Sequence, residues 1–422
     1  MDREKLIKTL SANDSFIRLK GIKQLKKMEG SGSLPKPMTS DEDFALSFQT
    51  NYSFSPYTPS LAAFRAYQGG IGIAGIADHD GLAGAEEFAR ACSILGVEST
   101  CGVQLFGRFY SGANRWLNNF YERDIGCVTL RGVPSCEIES LHKELEPTRV
   151  KRAERDKKMV EKLNLRLKKH GLDINFDKDV KARSYYKNGG TITERHILFA
   201  LAGKLVEKFG DAGKILDFLK NDFNVKVDEA YLPALSDINN PYYTYDLVDC
   251  LKHEINFFYI PMDDVMGAPA LVDLAHRHGA LITYDYVGEV RRNYGGQQEV
   301  ITLEKEFTEQ LFKDLGTMGF DAVEYDPVAI PEEDAKNLRE LAGENGMFTL
   351  PHSDFNSPRQ KFSAKVELPP ELVKNVWAVI GHEKSASYSV DDGMNTTKSK
   401  SKNPSLSSRL DLYAEIGRLK LR

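Results

Sequence analysis

No stretch of the 422-residue chain stays apolar over the roughly 18 residues that a membrane-spanning helix needs. The opening residues, MDREKLIKTLSANDSF, are charged and helical in pattern and lack the apolar centre of a secretory leader. A soluble, cytoplasmic protein is the expectation from these two absences. Cysteine is scarce: Cys92, Cys101, Cys127, Cys136 and Cys250 are five residues, an odd number without a CxxC pair. That spacing argues against a disulfide framework and a zinc ribbon, so the thiols are expected to be reduced and mostly buried. A charge excess is missing as well. With 56 basic and 61 acidic residues the formal net charge is −5, and no global field would draw the chain to nucleic acid or an anionic membrane. Neither is expected as a partner. No internal repeat is present.

What the chain does have is a 41% apolar content, enough for a large core, and a regular alternation of short apolar runs with helical stretches. GIGIAGIA, from Gly70 to Ala77, has the length of a buried strand. LAGAEEFARACSILG reads as a helix stopped by Gly96, and VESTCGVQLF as the next strand. The rhythm returns at APALVDLAHRHG, where His276 and His278 suit the last turn of a helix stopped by Gly279. ALITYDYVG, a helix, FDAVEYDP, a helix and MFTLPHSDF follow. Such alternation predicts parallel βα units, whose chemistry gathers at the carboxyl ends of the strands. The expected organisation is N-terminal helices and a linker over 1–40, a barrel built from 41–133 and 259–390, a helical insertion over 134–258, and a mobile loop with a final helix over 391–422. Within the insertion, residues 149–169 hold ten Lys or Arg against three Asp or Glu. A solvated face is expected there, with Val150, Ala153, Val160, Leu163 and Leu167 as the buried stripe.

Strand ends collect the residues that could carry chemistry. Asp78-His79-Asp80, Gln104, Tyr284-Asp285, Glu324 and the run from His352 to Asn356 all fall where a strand is expected to finish. In a barrel these side chains converge on one mouth. Imidazole is rare among them: the turn SFQTNYSFSPYTP offers Ser47, Gln49 and Asn51 where a metalloenzyme would place histidines.

SFQTNYSFSPYTP, GIADHDGLAGAEEFARA, GVQ, TERHILFAL, DAVEYDP and SDFN stand in the order of the motifs of the polymerase and histidinol phosphatase (PHP) family of metal-dependent phosphoesterases, which the chain resembles over roughly 44–110, 190–205 and 270–360. The resemblance implies a distorted seven-stranded (β/α) barrel with a helical insertion. For active members it implies two or three Zn, Mn or Fe ions that activate water against a phosphate ester. It also assigns the positions. The first two histidines of the family fall on Ser47 and Gln49, the acidic residue of the same turn on Phe54, and the bridging Glu on Gln104. The His of strand CVTL is missing, with Thr129 nearest, and Ala-His-Pro becomes Thr283-Tyr284-Asp285. The last His becomes Asn356. His79 and Asp354 survive as ligand types, but neutral amides and hydroxyls are poor ligands for Zn or Fe. The site is expected to have lost its metals and kept a polar cavity.

Three readings follow. In the first, a PHP-like barrel without its metal centre binds a phosphate-bearing or sugar-like small molecule and needs no cofactor. Asp78, His79 and Asp354 are then the candidate catalytic remnant, and Ser47, Gln49, Gln104, Arg195, His196, Tyr284, Asn356 and Arg359 the candidate ligand-binding groups. Arg195, at a helix start, and Arg359 are the phosphate candidates. In the second, a phosphoesterase works with a reduced Zn, Mn or Fe site made from His79, Asp354, His352, Asp285 and Glu324. In the third, the barrel is a scaffold and the basic helix at 149–169 contacts a partner. Each residue also has a plainer role: Asp80 as a helix N-cap, Asp78 and His79 as a bonded strand end, Glu324 as the partner of an arginine. His142, His170, His253 and His382 show no ligand spacing.

Overall fold

A computed structural model describes residues 3–119, 121–252, 254, 257–263, 265–294, 297–360 and 368–419; His253 and Lys361 lie outside them. The strands are β1 (Ser40–Phe48), β2 (Ile71–His79), β3 (Glu98–Arg108), β4 (Ile125–Arg131), β5 (Met266–Gly267), β6 (Leu281–Tyr286), β7 (Glu289–Tyr294), β8 (Gln297–Thr302), β9 (Ala322–Tyr325), β10 (Phe348–Pro351) and β11 (Asp354–Phe355). The main sheet runs β10-β9-β6-β4-β3-β2-β1-β11, with β5 beside β3. β10 pairs with β9, whereas β11, two residues further along the chain, pairs with β1. The two ends of the sheet are thus consecutive pieces of one segment, and the sheet curls round to meet itself.

Most neighbours are parallel, as the βα alternation requires, but β4 runs antiparallel to both β3 and β6. This departs from the all-parallel expectation. It also reverses the strand-end rule for β4, whose last residues lie toward the floor of the curled sheet and not its mouth. β7 and β8 form a separate hairpin that the sequence pattern did not announce.

Local chemistry explains several boundaries. β2 is buried along nearly its whole length, as a central parallel strand covered on both sides must be. Between Ala45 and Phe48 the register of β1 against β2 slips by a residue, a bulge that leaves the Leu46 carbonyl outside the ladder. Gly75 permits it, because a Cβ there would run into the Leu46 carbonyl. The helix after β2 starts at Ala85 with Gly84 as its cap, so Asp80 is not the N-cap expected; Gly96 does stop it in the left-handed conformation.

The N-terminal helices Arg3–Thr9 and Ser15–Gly30 place Leu6, Leu10, Ile22 and Leu25 in the same apolar cluster as the barrel. Buried Arg18 donates from Nε to Glu87 at 2.7 Å and ties them down. The insertion has its own cluster, built on Met159, Leu163, Ile197, Leu201, Leu219 and Leu247, which Phe54 from the turn after β1 joins. Phe54 thus takes up, with an apolar ring, the place the resemblance gives to an acid. The segment read as a mobile loop forms a short helix, Thr397–Lys402. Among the described residues no helix is long and apolar enough to cross a membrane.

Helices Pro370–Tyr388 and Leu406–Arg418 cross at Gly381 and Gly417, where a Cβ on either glycine would strike the other helix's backbone. We expect Gly381→Ala to destabilise the protein by on the order of 1–3 kcal/mol through overpacking. Gly343→Ala, in a helix with open space around it, should be neutral or stabilising. Denaturant unfolding followed by circular dichroism measures both, and equal effects would refute the crossing.

Candidate functional site

Alternation along each strand decides what reaches the interior. On β6 it turns Thr283 and Asp285 inward and Tyr284 outward; on β4 it turns Thr129 and Arg131 inward. Ser47, Gln49, Gln104, Glu324, His352 and Asp354 complete the group. These side chains are arranged as a ring about the mouth, and an open chain of hydrogen bonds and ion pairs runs through most of them. Asn356 donates to Gln49 at 3.2 Å, Gln49 to Gln104 at 2.7 Å and Gln104 to Asp354 at 3.2 Å. His352 Nε2 lies 3.5 Å from Asp354, and its Nδ1 lies 3.1 Å from Glu324. Arg131 then donates to Glu324 from Nε and Nη2, both at 2.7 Å, to Ser47 at 2.5 Å and to the freed Leu46 carbonyl. Thr129 donates to both oxygens of Asp285, at 3.2 and 3.1 Å.

The sequence reading missed Arg131. It follows CVTL directly, but its position at the end of an antiparallel strand puts it one layer below the carboxyl ends of the parallel strands: Gln104 faces Thr129, and Gly102 faces Arg131. Arg131 and Glu324 are both fully buried. Burial alone would raise the Glu324 carboxyl, but the guanidinium and His352 hold it well below its usual range. Burial raises Asp285 despite His352 and Arg131. His352 goes the other way: burial would lower it, yet Asp354 and Asp285 keep it protonated well above the ordinary imidazole value. Asp354 is held low against burial by His352. The ring is close to charge balance, with Arg131 and His352 against Glu324 and Asp354.

Do these residues fit the metals that the resemblance implies? Asp285, Glu324 and His352 bring ligand atoms within 4.8 Å of one another. A cluster of two or three ions does not fit. Ser47, Gln49, Gln104 and Asn356 are neutral and already bonded within the ring, and Arg131 grips both oxygens of Glu324.

Several expected roles need correction. Asp78 accepts from Thr50 N at 2.5 Å, Thr50 Oγ1 at 2.6 Å and Ser53 Oγ at 2.9 Å. Burial raises it to about 6 against those bonds, and it pins the turn after β1 without reaching the mouth ring. Tyr284 is fully buried on the outer face and donates to Glu304 at 3.0 Å, because strand alternation excludes it from the mouth. His196 closes a capping box with Thr193 and packs edge-on against Phe54, so the helix start offers fewer free amides than expected. Arg359 is committed to Asp246 of the insertion through two bonds, at 2.9 and 2.8 Å. Asp80, at φ 56°, accepts from Arg152 at 2.8 Å and Thr191 at 3.1 Å, while Arg152 also reaches Glu194 at 3.2 Å. Helix Glu146–Leu167 buries Ala153, Val160, Leu163 and Leu167 as expected but exposes Val150, and it also buries Arg149, Arg152, Arg155 and Asp156 from the face expected to be solvated. Arg152 and Arg155 are then not available to a partner on the surface.

Two expected residues keep polar groups that no described residue bonds. His79 is half-buried, stacks on Phe106 at 6.2 Å and leaves its buried Nδ1 without a partner. Burial, then Arg152 and Arg195, push it down to about 4. Half-buried Arg195 makes no hydrogen bond or ion pair among the described residues, yet it lies close enough to act on His79, Asp354 and Lys252. Beside the mouth a groove of about 1350 Å³ runs between the β7–β8 hairpin, Phe307, Ile330 and Pro331, and ends on His352 and Asp354.

No family model and no curated protein matches the chain. Solved structures do. An amidohydrolase from Chromobacterium violaceum, with sulfate bound and no metal, aligns at a TM-score of 0.50 and 17% identity, covering 78% of this chain and 92% of that one. A putative metal-dependent phosphoesterase from Bifidobacterium adolescentis aligns at 0.50 and 20% identity, covering 80% and 93%. The chain shares the barrel-like α/β scaffold of these two structures.

His79 offers a pH test. Its imidazole is neutral in the fold down to about pH 4 but titrates near 6.5 when unfolded. The unfolded chain takes the proton first, so this contribution to stability falls as pH drops from 6.5 to 4. We expect His79→Gln to flatten the dependence of unfolding free energy on pH in that window. An unchanged slope in denaturant titrations would refute it.

Proposed function

We propose that this chain is a PHP-like barrel whose metal centre has been replaced by an internal hydrogen-bonded and ion-paired ring, and that its mouth binds a small phosphate-bearing or sugar-like anion. Counting β10 and β11 as one bent strand gives seven staves, the number the resemblance implies. The observation that carries the reading is Arg195, which makes no hydrogen bond or ion pair among the described residues and lies close enough to act on His79, Asp354 and Lys252. A guanidinium matches the two-pronged geometry of a phosphate. His79 Nδ1 and the amides of Gln49, Gln104 and Asn356 would meet the hydroxyls or ester oxygens of the rest of the molecule. Sulfate in the Chromobacterium amidohydrolase is consistent with a scaffold that receives tetrahedral anions.

A second reading has a specific observation behind it. The convergence of Asp285, Glu324 and His352 within 4.8 Å suits a one-metal hydrolase. Elemental analysis of protein purified without chelator separates the two, together with hydrolysis of a generic phosphate ester with and without Mn²⁺ or Zn²⁺.

On the proposed reading the protein is metal-free and inert in that assay. Inorganic phosphate or glucose 6-phosphate at ten times its Kd then raises the melting temperature by about 1–2 °C, and Arg195→Gln abolishes the shift. Stoichiometric metal with chelator-sensitive hydrolysis, or phosphate shifts that Arg195→Gln leaves intact, would overturn it.

A further inference from the structure

Glu324 is saturated. An ionised carboxylate offers about four lone-pair positions, and the protein fills them. Oε1 accepts from Arg131 Nε at 2.7 Å and Thr283 Oγ1 at 2.8 Å. Oε2 accepts from Arg131 Nη2 at 2.7 Å and faces His352 Nδ1 at 3.1 Å. Arg131 supplies two of these four contacts and carries a full charge with no exposed surface.

Leaving an ionised carboxylate buried without a cation costs several kcal/mol. Three acids, Asp285, Glu324 and Asp354, meet on this interior with one imidazole. Besides His352, Arg131 is the cation that bonds Glu324, and its charge also acts on Asp285 and Asp354. One imidazole nitrogen and two carboxylates, close enough to share an ion, form a donor set that suits Zn²⁺ or Mn²⁺. The guanidinium already holds the Glu324 oxygens that such an ion would need.

We infer that Arg131 and a divalent cation are alternative occupants of this interior: the guanidinium is a built-in counter-cation, and neutralising it turns Asp285, Glu324 and His352 into a site for one Zn²⁺ or Mn²⁺. The inference rests on the metal-free reading of the wild type and goes beyond it, because it says which residue excludes the ion and which three would receive it. The bulge at Leu46 and Ser47 is part of the device, since both accept from Arg131 and neither contributes an anion.

The test compares wild type, Arg131→Gln, Arg131→Lys and Arg131→Gln with His352→Ala, each titrated with ZnCl₂ and with MnCl₂ by calorimetry and checked by elemental analysis. The expected result is about one equivalent in Arg131→Gln, bound on the order of tenfold or more tightly than by wild type. Arg131→Lys, which keeps the charge, and the double variant should take none at this site. A folded Arg131→Gln chain that takes no more metal than wild type overturns the inference, even if wild type stays metal-free and responds to phosphate. Wild type that binds an equivalent through His352 overturns it together with the metal-free reading. If Arg131→Gln folds only when Zn²⁺ or Mn²⁺ is present, the exchange is supported directly. If it folds under neither condition while Arg131→Lys folds, a metal cannot replace the guanidinium and the inference fails.

Discussion

A guanidinium with no exposed surface has to satisfy its N–H groups and its charge from within the protein, and the centre of this molecule is arranged around how Arg131 does so. Both prongs go to Glu324, another donor goes to Ser47, and another to the Leu46 carbonyl. The last of these needs the bulge in β1, and the bulge needs Gly75 opposite it. From Glu324 the constraint passes to His352, from His352 to Asp354, and from Asp354 through Gln104 and Gln49 to Asn356. Strands from every part of the curled sheet are linked by one polar chain.

The same device recurs where other parts of the chain meet the barrel. Arg18 on the N-terminal helices pairs with Glu87, which also accepts from Ser60. Arg152 on the insertion pairs with Asp80 and Glu194, holding the insertion over the end of β2. Pairs of this kind add little net stability compared with apolar packing, but losing one partner is expensive. They set orientation, and the separate apolar clusters of barrel and insertion supply the burial.

Chemically, the mouth combines a quiet floor with an unsatisfied roof. The floor is ionised but balanced, and each of its acids already has a donor. Near it, Arg195 makes no hydrogen bond or ion pair among the described residues, and the buried Nδ1 of His79 has no partner there. The groove along β7 adjoins the same floor at His352 and Asp354.

Much of this was legible in the residues. Alternating apolar strands and capped helices specify a mostly parallel α/β barrel, because period and turn chemistry are local properties of the chain. The gathering of Asp285, Glu324, His352 and Asp354 follows from the rule that parallel strands end at one mouth. The neutral Ser47, Gln49, Gln104 and Asn356, where the resemblance places three imidazoles and a carboxylate, already argue against a metal cluster, since ligand chemistry is a property of the side chain alone. The tertiary structure alone decided which faces those side chains take and what they bond. It reversed β4 and so placed Arg131 beneath the mouth, turned Tyr284 outward, spent Arg359 and His196 on structural ties, and buried the arginines of the insertion helix. Strand direction, register and the partners of long charged side chains depend on contacts between residues far apart in sequence, and no local pattern encodes them.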